Sequence, residues 1–247
     1  MLVSIIMPAH NSEGFIKESI RSVQQQTFHD WELIIVDDAS TDGTAGAVRA
    51  LAQTDGRIKL LVLDSNQGPS TARQYATKVA RGQYIAFLDS DDLWYPNKLR
   101  YQLAFMKEQG CAISCTAYEQ IDEDGNYIGK TIRPPQRADY NRVLLSCPVG
   151  NSTVVYDTMK LGKCYAPDIK NREDYALWLK ILKKEKYIFG ISSILTKYRV
   201  RKDSQSRNKL KLIKYHWILY RDFEHLSFLR SVFHIVIWGF IKLLRIK

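Results

Sequence analysis

Cysteine is scarce in this chain. The four present, Cys111, Cys115, Cys147 and Cys164, match neither zinc-ligand spacing nor a disulfide framework, so reduced thiols in a cytosolic protein are expected. A secretory signal is also missing: the apolar run Leu2 to Met7 is short and passes at once into Pro8 and polar residues. No basic, glycine-rich loop follows that run, since Pro8 to Gly14 is neither. That disfavours a nucleotidyltransferase, which would cradle a triphosphate there. There is no internal repeat and no low-complexity linker, so 247 residues are expected to form one domain with an appendage.

Acidic residues become rare near the C-terminus. Residues 197–247 hold 13 Lys+Arg against 3 Asp+Glu, whereas residues 1–196 hold 23 of each. The formal charge of +10 therefore resides in the tail. A neutral body with a basic tail points to an anionic surface, either lipid headgroups or nucleic acid. Basic and aromatic residues do not interleave in an RNA-binding pattern, so no nucleic-acid partner is expected.

Strands and helices alternate through the first 90 residues. Leu2 to Met7, Trp31 to Val36, Ile58 to Leu63 and Tyr84 to Leu88 read as buried strands. Between them Glu13 to Gln26 and Thr44 to Gln53 read as helices, the first with Phe15, Ile16, Ile20 and Val23 at helical spacing, and Gly68 to Arg81 as a loop and helix. This is the grammar of βαβ units and a mainly parallel sheet. The pattern then changes. Asn97 to Lys107 reads as a helix, Ala112 to Gln120 and Tyr127 to Ile132 as a hairpin, Asp139 to Ser146 as a short helix and Ser152 to Tyr156 as a short strand. Arg172 to Lys184 reads as an amphipathic helix, and Tyr187 to Tyr198 as a last strand.

Polar clusters follow the strands: His10-Asn11, Asp37-Asp38, Asn66 and Asp89-Ser90-Asp91-Asp92. Open α/β sheets bind ligands at the carboxyl edge of their strands. Three carboxylates within four residues repel one another unless a cation neutralises them. A divalent ion with oxygen ligands, completed by a diphosphate, would do so. The alternative is a turn whose Asp residues cap the following helix.

In order along roughly residues 1–200, the segments VSIIMPAHN (Val3 to Asn11), ELIIVDDASTDGT (Glu32 to Thr44), NQGPSTAR (Asn66 to Arg73), GQYIAFLDSDDLW (Gly82 to Trp94) and REDY (Arg172 to Tyr175) resemble the inverting family 2 glycosyltransferases of the GT-A fold. The resemblance implies an α/β fold in which a Rossmann-like nucleotide-sugar-binding half, residues 1–95, merges with an acceptor half, residues 96–200. A basic loop and tail, residues 201–247, would follow. It also implies a UDP-sugar donor, Mn²⁺ or Mg²⁺, and transfer with inversion at the anomeric carbon.

Roles carry over residue by residue. Pro8 and Asn11 match the first nucleotide-binding loop. Asp38, with Asp37 beside it, matches the carboxylate that takes the uracil N3–H. Gly68 and Arg73 match the segment closing over base and phosphates. Asp89, Ser90 and Asp91 match the Asp-x-Asp motif, with the metal expected on Asp91 and with Asp89 nearer the ribose. Asp174 matches the late carboxylate that acts as base, with Glu173 as the alternative. Arg199 and Arg201, in a loop where many relatives carry histidine, can pair with phosphate oxygens. Tyr175 and Trp178 stand beside the base, for the acceptor site or for the core.

Leu226 to Ile246 is unusually apolar, with Ser227, Arg230, Ser231, His234, Trp238, Lys242 and Arg245 recurring three or four apart as a polar stripe. A spanning helix takes about 20 mostly uncharged residues; the charge-free run Ser231 to Ile241 is about half that. An amphipathic helix lying in an anionic membrane surface is expected, aided by Lys209, Lys211, Lys214 and Arg221. The competing reading packs this helix on the domain or on a second copy, which leaves a homodimer open.

The expected function is transfer of a hexose or N-acetylhexosamine from a UDP-sugar to an undecaprenyl-diphosphate-linked saccharide, in O-antigen or capsule assembly at the cytoplasmic face of the bacterial inner membrane. A soluble or protein acceptor, or nucleic-acid binding through the basic tail, are the alternatives.

Overall fold

The computed structural model describes residues 1–167, 169, 172–201 and 209–243. Expectations touching Asn171, the basic loop beyond Arg201, and Arg245 with the tail's last residues lie outside the described residues.

The first half follows the expected alternation. Its elements are β1 (Val3–Ala9), α1 (Glu13–Gln24), β2 (Trp31–Asp37), α2 (Thr44–Thr54), β3 (Ile58–Val62), α3 (Pro69–Val79) and β4 (Tyr84–Phe87). β1 pairs in parallel with β2 and β4, and β2 with β3. All four carboxyl ends therefore share one edge. Successive side chains of a strand face opposite ways, and β1, β2 and β4 are buried on both faces, which is why they are mostly apolar. Val3, Ile5 and Met7 meet Ile16, Ile20 and Val23 of α1 on one face. Ile6, Ile34, Ile85 and Phe87 meet Ala72 and Ala76 of α3 on the other.

The second half comprises β5 (Leu93–Trp94), α4 (Lys98–Gln109), β6 (Ile113–Ile121), β7 (Tyr127–Ile132), β8 (Arg137–Ala138), α5 (Tyr140–Leu145), β9 (Val155–Asp157), α6 (Thr158–Leu161), α7 (Glu173–Leu182) and β10 (Ile188–Arg199). One sheet runs β3-β2-β1-β4-β9-β6-β10-β5, with β7 beside β6 and β8 beside β10. The parallel sheet expected from the alternation of the first 90 residues is found in β1 to β4, whereas the second half is mixed. β9 is antiparallel to both β4 and β6, and β5 and β8 are antiparallel to β10. The strand expected over Ser152 to Tyr156 begins later, because Asn151–Thr153 forms a 3₁₀ turn. β9 joins the two halves into one sheet.

The tail forms α8 (Lys209–Ile218), a π-helical turn over Leu219–Phe223, and α9 (Phe228–Leu243). Among the described residues no helix is long and apolar enough to cross a membrane. The polar stripe of α9 turns partly inward rather than to solvent. Ser231 and Trp238 are buried, with the His216 and Trp238 rings 4.4 Å apart and Tyr220 and His234 5.4 Å apart. Large apolar side chains face outward beside the exposed Arg230: Leu229 is 78% exposed, Phe228 60% and Phe233 57%.

Candidate active site

The loops at the carboxyl edge are tied together by short side chains. Asn11 adopts φ 48°, a left-handed conformation that Asn tolerates better than most residues. Its N–H donates to Ser40 Oγ at 2.9 Å and its Oδ1 accepts the Thr41 N–H at 2.9 Å. The loop after β1 is thereby fixed to the loop after β2. Pro8 lies within β1 opposite Val36. Asp37 is buried and takes the Ser40 N–H and hydroxyl. Asp38 is also buried, and its two oxygens accept the N–H groups of Gln67 and Gly68, each at 2.7 Å. A carboxylate has about four lone-pair sites, so Asp38 keeps capacity for a further donor while shaping the 66–68 loop. Gly68, at φ 87° with open space where a Cβ would project, leads into α3.

The acidic cluster follows β4, and each of its carboxylates is held differently. Asp89 Oδ1 accepts from Arg73 Nη2 at 2.7 Å and from Asn151 Nδ2 at 2.9 Å. Asp91 faces Arg201 Nη1 at 3.5 Å. Asp92 is buried and accepts from Ser152 Oγ at 2.5 Å and from the Arg199 N–H at 2.9 Å. Burial first, and then the charge of Asp89, pushes the Asp91 carboxyl up. Asp92 is pushed well up by burial and by both neighbours. Ser90 turns its hydroxyl inward to Ser12 Oγ at 2.8 Å, and its carbonyl accepts from Ser19 Oγ at 2.9 Å. Ser90 thus locks the cluster to α1.

Hard carboxylate oxygens held close together at an electrostatic cost fit a divalent cation. Among the described residues no group of three or more His, Cys, Asp or Glu gathers to hold one. An ion here would use one or two carboxylates and draw its other ligands from phosphate and water, the habit of Mg²⁺.

Arg199, expected at the phosphates, is placed beneath the cluster with its side chain 1% exposed. Its Nε donates to the Asp91 carbonyl at 2.8 Å and Nη2 to Glu18 at 2.6 Å. Nη1 reaches the carbonyls of Asp122 at 3.2 Å and Glu123 at 2.8 Å. Arg201 is the guanidinium that meets the Asp91 carboxylate.

The acidic start of α7 comes to the same cleft. Acidic side chains suit a helix N-terminus, where unpaired N–H groups leave partial positive charge. Arg73 Nη1 lies 3.6 Å from Glu173. Burial raises the Glu173 pKa and the Asp174 charge adds to it, while Arg73 opposes both. Arg73, Asn151, Glu173 and Asp174 line one small pocket, and Asp174 Oδ1 accepts the Tyr175 N–H at 2.7 Å. Tyr175 and Trp178 are core residues, with the Tyr175 hydroxyl donating to the carbonyls of Val143 and Leu144. Asn151, Ser152 and Glu18 escaped the sequence reading. Two of them sit on a single 3₁₀ turn and the third on a helix surface, where nothing in the spacing marks them.

A parallel nucleotide-type half ending in carboxylates, seamed to a mixed half that returns a Glu-Asp pair to the same cleft, is the layout of a GT-A glycosyltransferase. The chain belongs to glycosyl transferase family 2, whose family model matches residues 4–166. It is 40% identical to the "Putative teichuronic acid biosynthesis glycosyltransferase TuaG" of Bacillus subtilis, over 98% of this chain and 94% of that protein. It is 42% identical to the UDP-Glc:alpha-D-GlcNAc-diphosphoundecaprenol beta-1,3-glucosyltransferase WfgD of Escherichia coli, over 90% of this chain and 86% of that protein. The fold is similar to that of S. aureus TarS 1-349 in complex with UDP-GlcNAc, with TM-score 0.73, 22% identity, and 96% and 71% of the two chains covered.

Proposed function

We propose that this glycosyltransferase is an inverting enzyme that moves a hexose or N-acetylhexosamine from a UDP-sugar to a saccharide carried on a polyprenyl diphosphate, in surface-polysaccharide assembly. One observation carries this reading: Arg73 bridges Asp89 and Glu173, drawing the carboxylates after β4 and the start of α7 into one cleft with Asp174 on its wall. The donor and acceptor classes are supported by the activity for which WfgD is named, and the polysaccharide role by TuaG.

Asp38 offers its remaining lone pairs to the uracil N3–H, on a platform formed by Pro8, Asn11 and Asp37. Gly68 leaves room for the nucleotide where a side chain would project. Asp91, with Asp89 beside it, would hold Mn²⁺ or Mg²⁺, which when bound supplies Lewis-acid stabilisation of a leaving diphosphate. Arg73 and Arg201 add charge-assisted donors on either side of the carboxylates. Asp174 accepts the proton of the acceptor hydroxyl as that oxygen bonds to the anomeric carbon and UDP departs from the opposite face. Glu173 is paired with Arg73 and is therefore the weaker candidate for the base. The exposed apolar face of α9 lies on an anionic membrane surface, which keeps the enzyme peripheral on the cytoplasmic side, where a lipid-linked acceptor is presented.

The test is transfer from a panel of UDP-sugars to a GlcNAc-diphospho-lipid, with the product's anomeric configuration read by NMR. Asp174→Asn is expected to keep UDP affinity and lose about 10²–10⁴-fold in kcat, whereas Asp91→Asn loses the metal-dependent part of UDP binding. Near-normal turnover in Asp174→Asn, with Glu173→Gln inactive, would move the base to Glu173.

A further inference from the structure

A second concavity, of about 1030 Å³, opens between the β6–β7 hairpin, the 146–149 turn and the end of α9. We propose that it binds the isoprenoid diphosphate of a lipid-linked acceptor. This rests on the acceptor class proposed above and adds where the non-sugar part of that acceptor is held.

Three features point to such a ligand. The first is charge. Lys130, Arg133 and Arg142 line the groove, no Asp or Glu does, and none of the three cations is in an ion pair among the described residues. A diphosphate carries at least two negative charges, and guanidinium forks match phosphate oxygens two at a time. The second is the apolar wall formed by Ile132, Pro134, Pro135, Pro148 and Ile241. Ile241 belongs to α9, next to Phe240, which is 53% exposed. The outward apolar face of that helix therefore runs into the groove, giving an isoprenoid chain a continuous path. A volume above the usual range for small-ligand pockets, about 300–1,000 Å³, accommodates a diphosphate with several isoprene units.

The third feature is the connection to the chemistry. Tyr118 lines the groove and its ring packs against Tyr198 at 5.7 Å. Gly150 lies so close to the Tyr118 ring that a Cβ would come within 3.0 Å of it. The next residue, Asn151, donates to Asp89. A single turn thus separates the cationic groove from the catalytic carboxylates, and a saccharide anchored through its diphosphate would extend toward Asp174.

Isothermal titration of the full chain with farnesyl diphosphate tests this, with EDTA present so that no metal can draw the diphosphate to the acidic cluster. Wild type is expected to bind it at least tenfold more tightly than farnesyl monophosphate. The Arg133→Glu/Arg142→Glu double variant is expected to lose at least tenfold in affinity while its Mn²⁺-dependent UDP affinity stays unchanged. Failure of wild type to bind farnesyl diphosphate, or equal binding by the double variant, overturns the proposal. So does loss of binding to dioleoylphosphatidylglycerol vesicles in the variant without any farnesyl diphosphate binding in wild type, since the groove would then read bulk anionic lipid. Should farnesyl diphosphate bind as expected while no GlcNAc-diphospho-lipid is extended, the acceptor reading falls and the groove stands. Equal KM for that acceptor in wild type and double variant removes the groove and leaves the acceptor reading intact.

Discussion

Arg73 Nη2 lies 2.7 Å from Asp89 Oδ1, closing α3 onto the strand end that carries the acidic cluster. The other arm of the guanidinium lies 3.6 Å from Glu173, and the charges of Asp89, Glu173 and Asp174 together hold Arg73 firmly protonated despite its burial. Removing this cation leaves carboxylates facing one another. Arg73→Ala is expected to cost about 3 kcal/mol of stability, or roughly 6–12 °C in Tm for a chain of this size, and to lower kcat/KM at least 100-fold. Arg73→Lys restores charge but not the two-armed reach, so it recovers the Tm more than the activity. Calorimetry alongside steady-state kinetics distinguishes the two. Unchanged kinetics in Arg73→Ala would remove the bridge from the mechanism.

Asp92 contributes to stability in the opposite sense to an ordinary ion pair. Its carboxyl is pushed well above the usual range by burial and by Asp91 and Asp89, against which the Ser152 hydroxyl and the Arg199 N–H act. A carboxyl with a folded pKa above its unfolded value binds its proton more tightly in the folded chain. Its stabilising effect is present below the unfolded pKa and is lost as pH rises through the folded one. Asp92→Asn is therefore expected to raise the Tm of metal-free protein at neutral pH and to change it little at pH 4. Thermal melts across that range in EDTA check this, and a lower Tm at neutral pH would sink it.

Much of this architecture is legible from residue order alone, for reasons that also mark the limits. Strands β1, β2 and β4 are buried on both faces, so Val3–Ala9, Trp31–Asp37 and Tyr84–Phe87 are almost wholly apolar and stand out. The two-residue strands β5 and β8 are too short for any periodicity. β9 announces neither its direction nor its place between β4 and β6, because pairing is decided by the tertiary fold. Asp89, Asp91 and Asp174 are marked by their type and position, whereas Asn151 reaches Asp89 only through folding, 62 residues along the chain. Arg199 and Arg201 look equivalent in sequence; Arg199 ends β10 and is buried by its contacts to Glu18 and three backbone carbonyls, whereas Arg201, two residues on and past the strand, is part-exposed and faces Asp91. The stripe on α9 misleads because His234 and Trp238 stack on Tyr220 and His216 and Ser231 is buried, its hydroxyl donating to the Ser227 carbonyl, so polarity there does not mean solvent.

Glu32 supplies a pH effect of the usual carboxylate sign. It is buried in β2 and accepts from Ser4 Oγ in β1 at 2.6 Å, Lys59 Nζ in β3 at 2.6 Å and the Arg81 N–H at 2.7 Å. Burial raises its pKa, but these three donors outweigh it and the net shift is downward. The resulting stabilisation is complete above the unfolded value and is lost as pH falls through the lower folded one. Glu32→Gln should lower stability by about 2 kcal/mol at pH 7, the scale of bonds to a charged group, and the gap to wild type should close below pH 4. Denaturant melts at the two pH values decide it; a gap independent of pH would show that packing rather than charge is responsible.

The outward face of α9 offers the cleanest test of membrane attachment, because Leu229 and Phe233 are 78% and 57% exposed and little of the fold depends on them. Surface substitutions of this kind change stability by about 0.5 kcal/mol or less. Burying two such side chains in the headgroup–acyl boundary is worth about 3 kcal/mol or more, over 100-fold in partitioning. Leu229→Glu/Phe233→Glu is thus expected to keep the wild-type Tm yet to lose co-sedimentation with phosphatidylglycerol vesicles. Raising the salt concentration should weaken the wild-type interaction only in part, since the apolar contribution is not screened. If the double variant sediments with vesicles as wild type does, the face serves another contact, and a shift in the mass of the free protein between the two would identify that contact as a second copy.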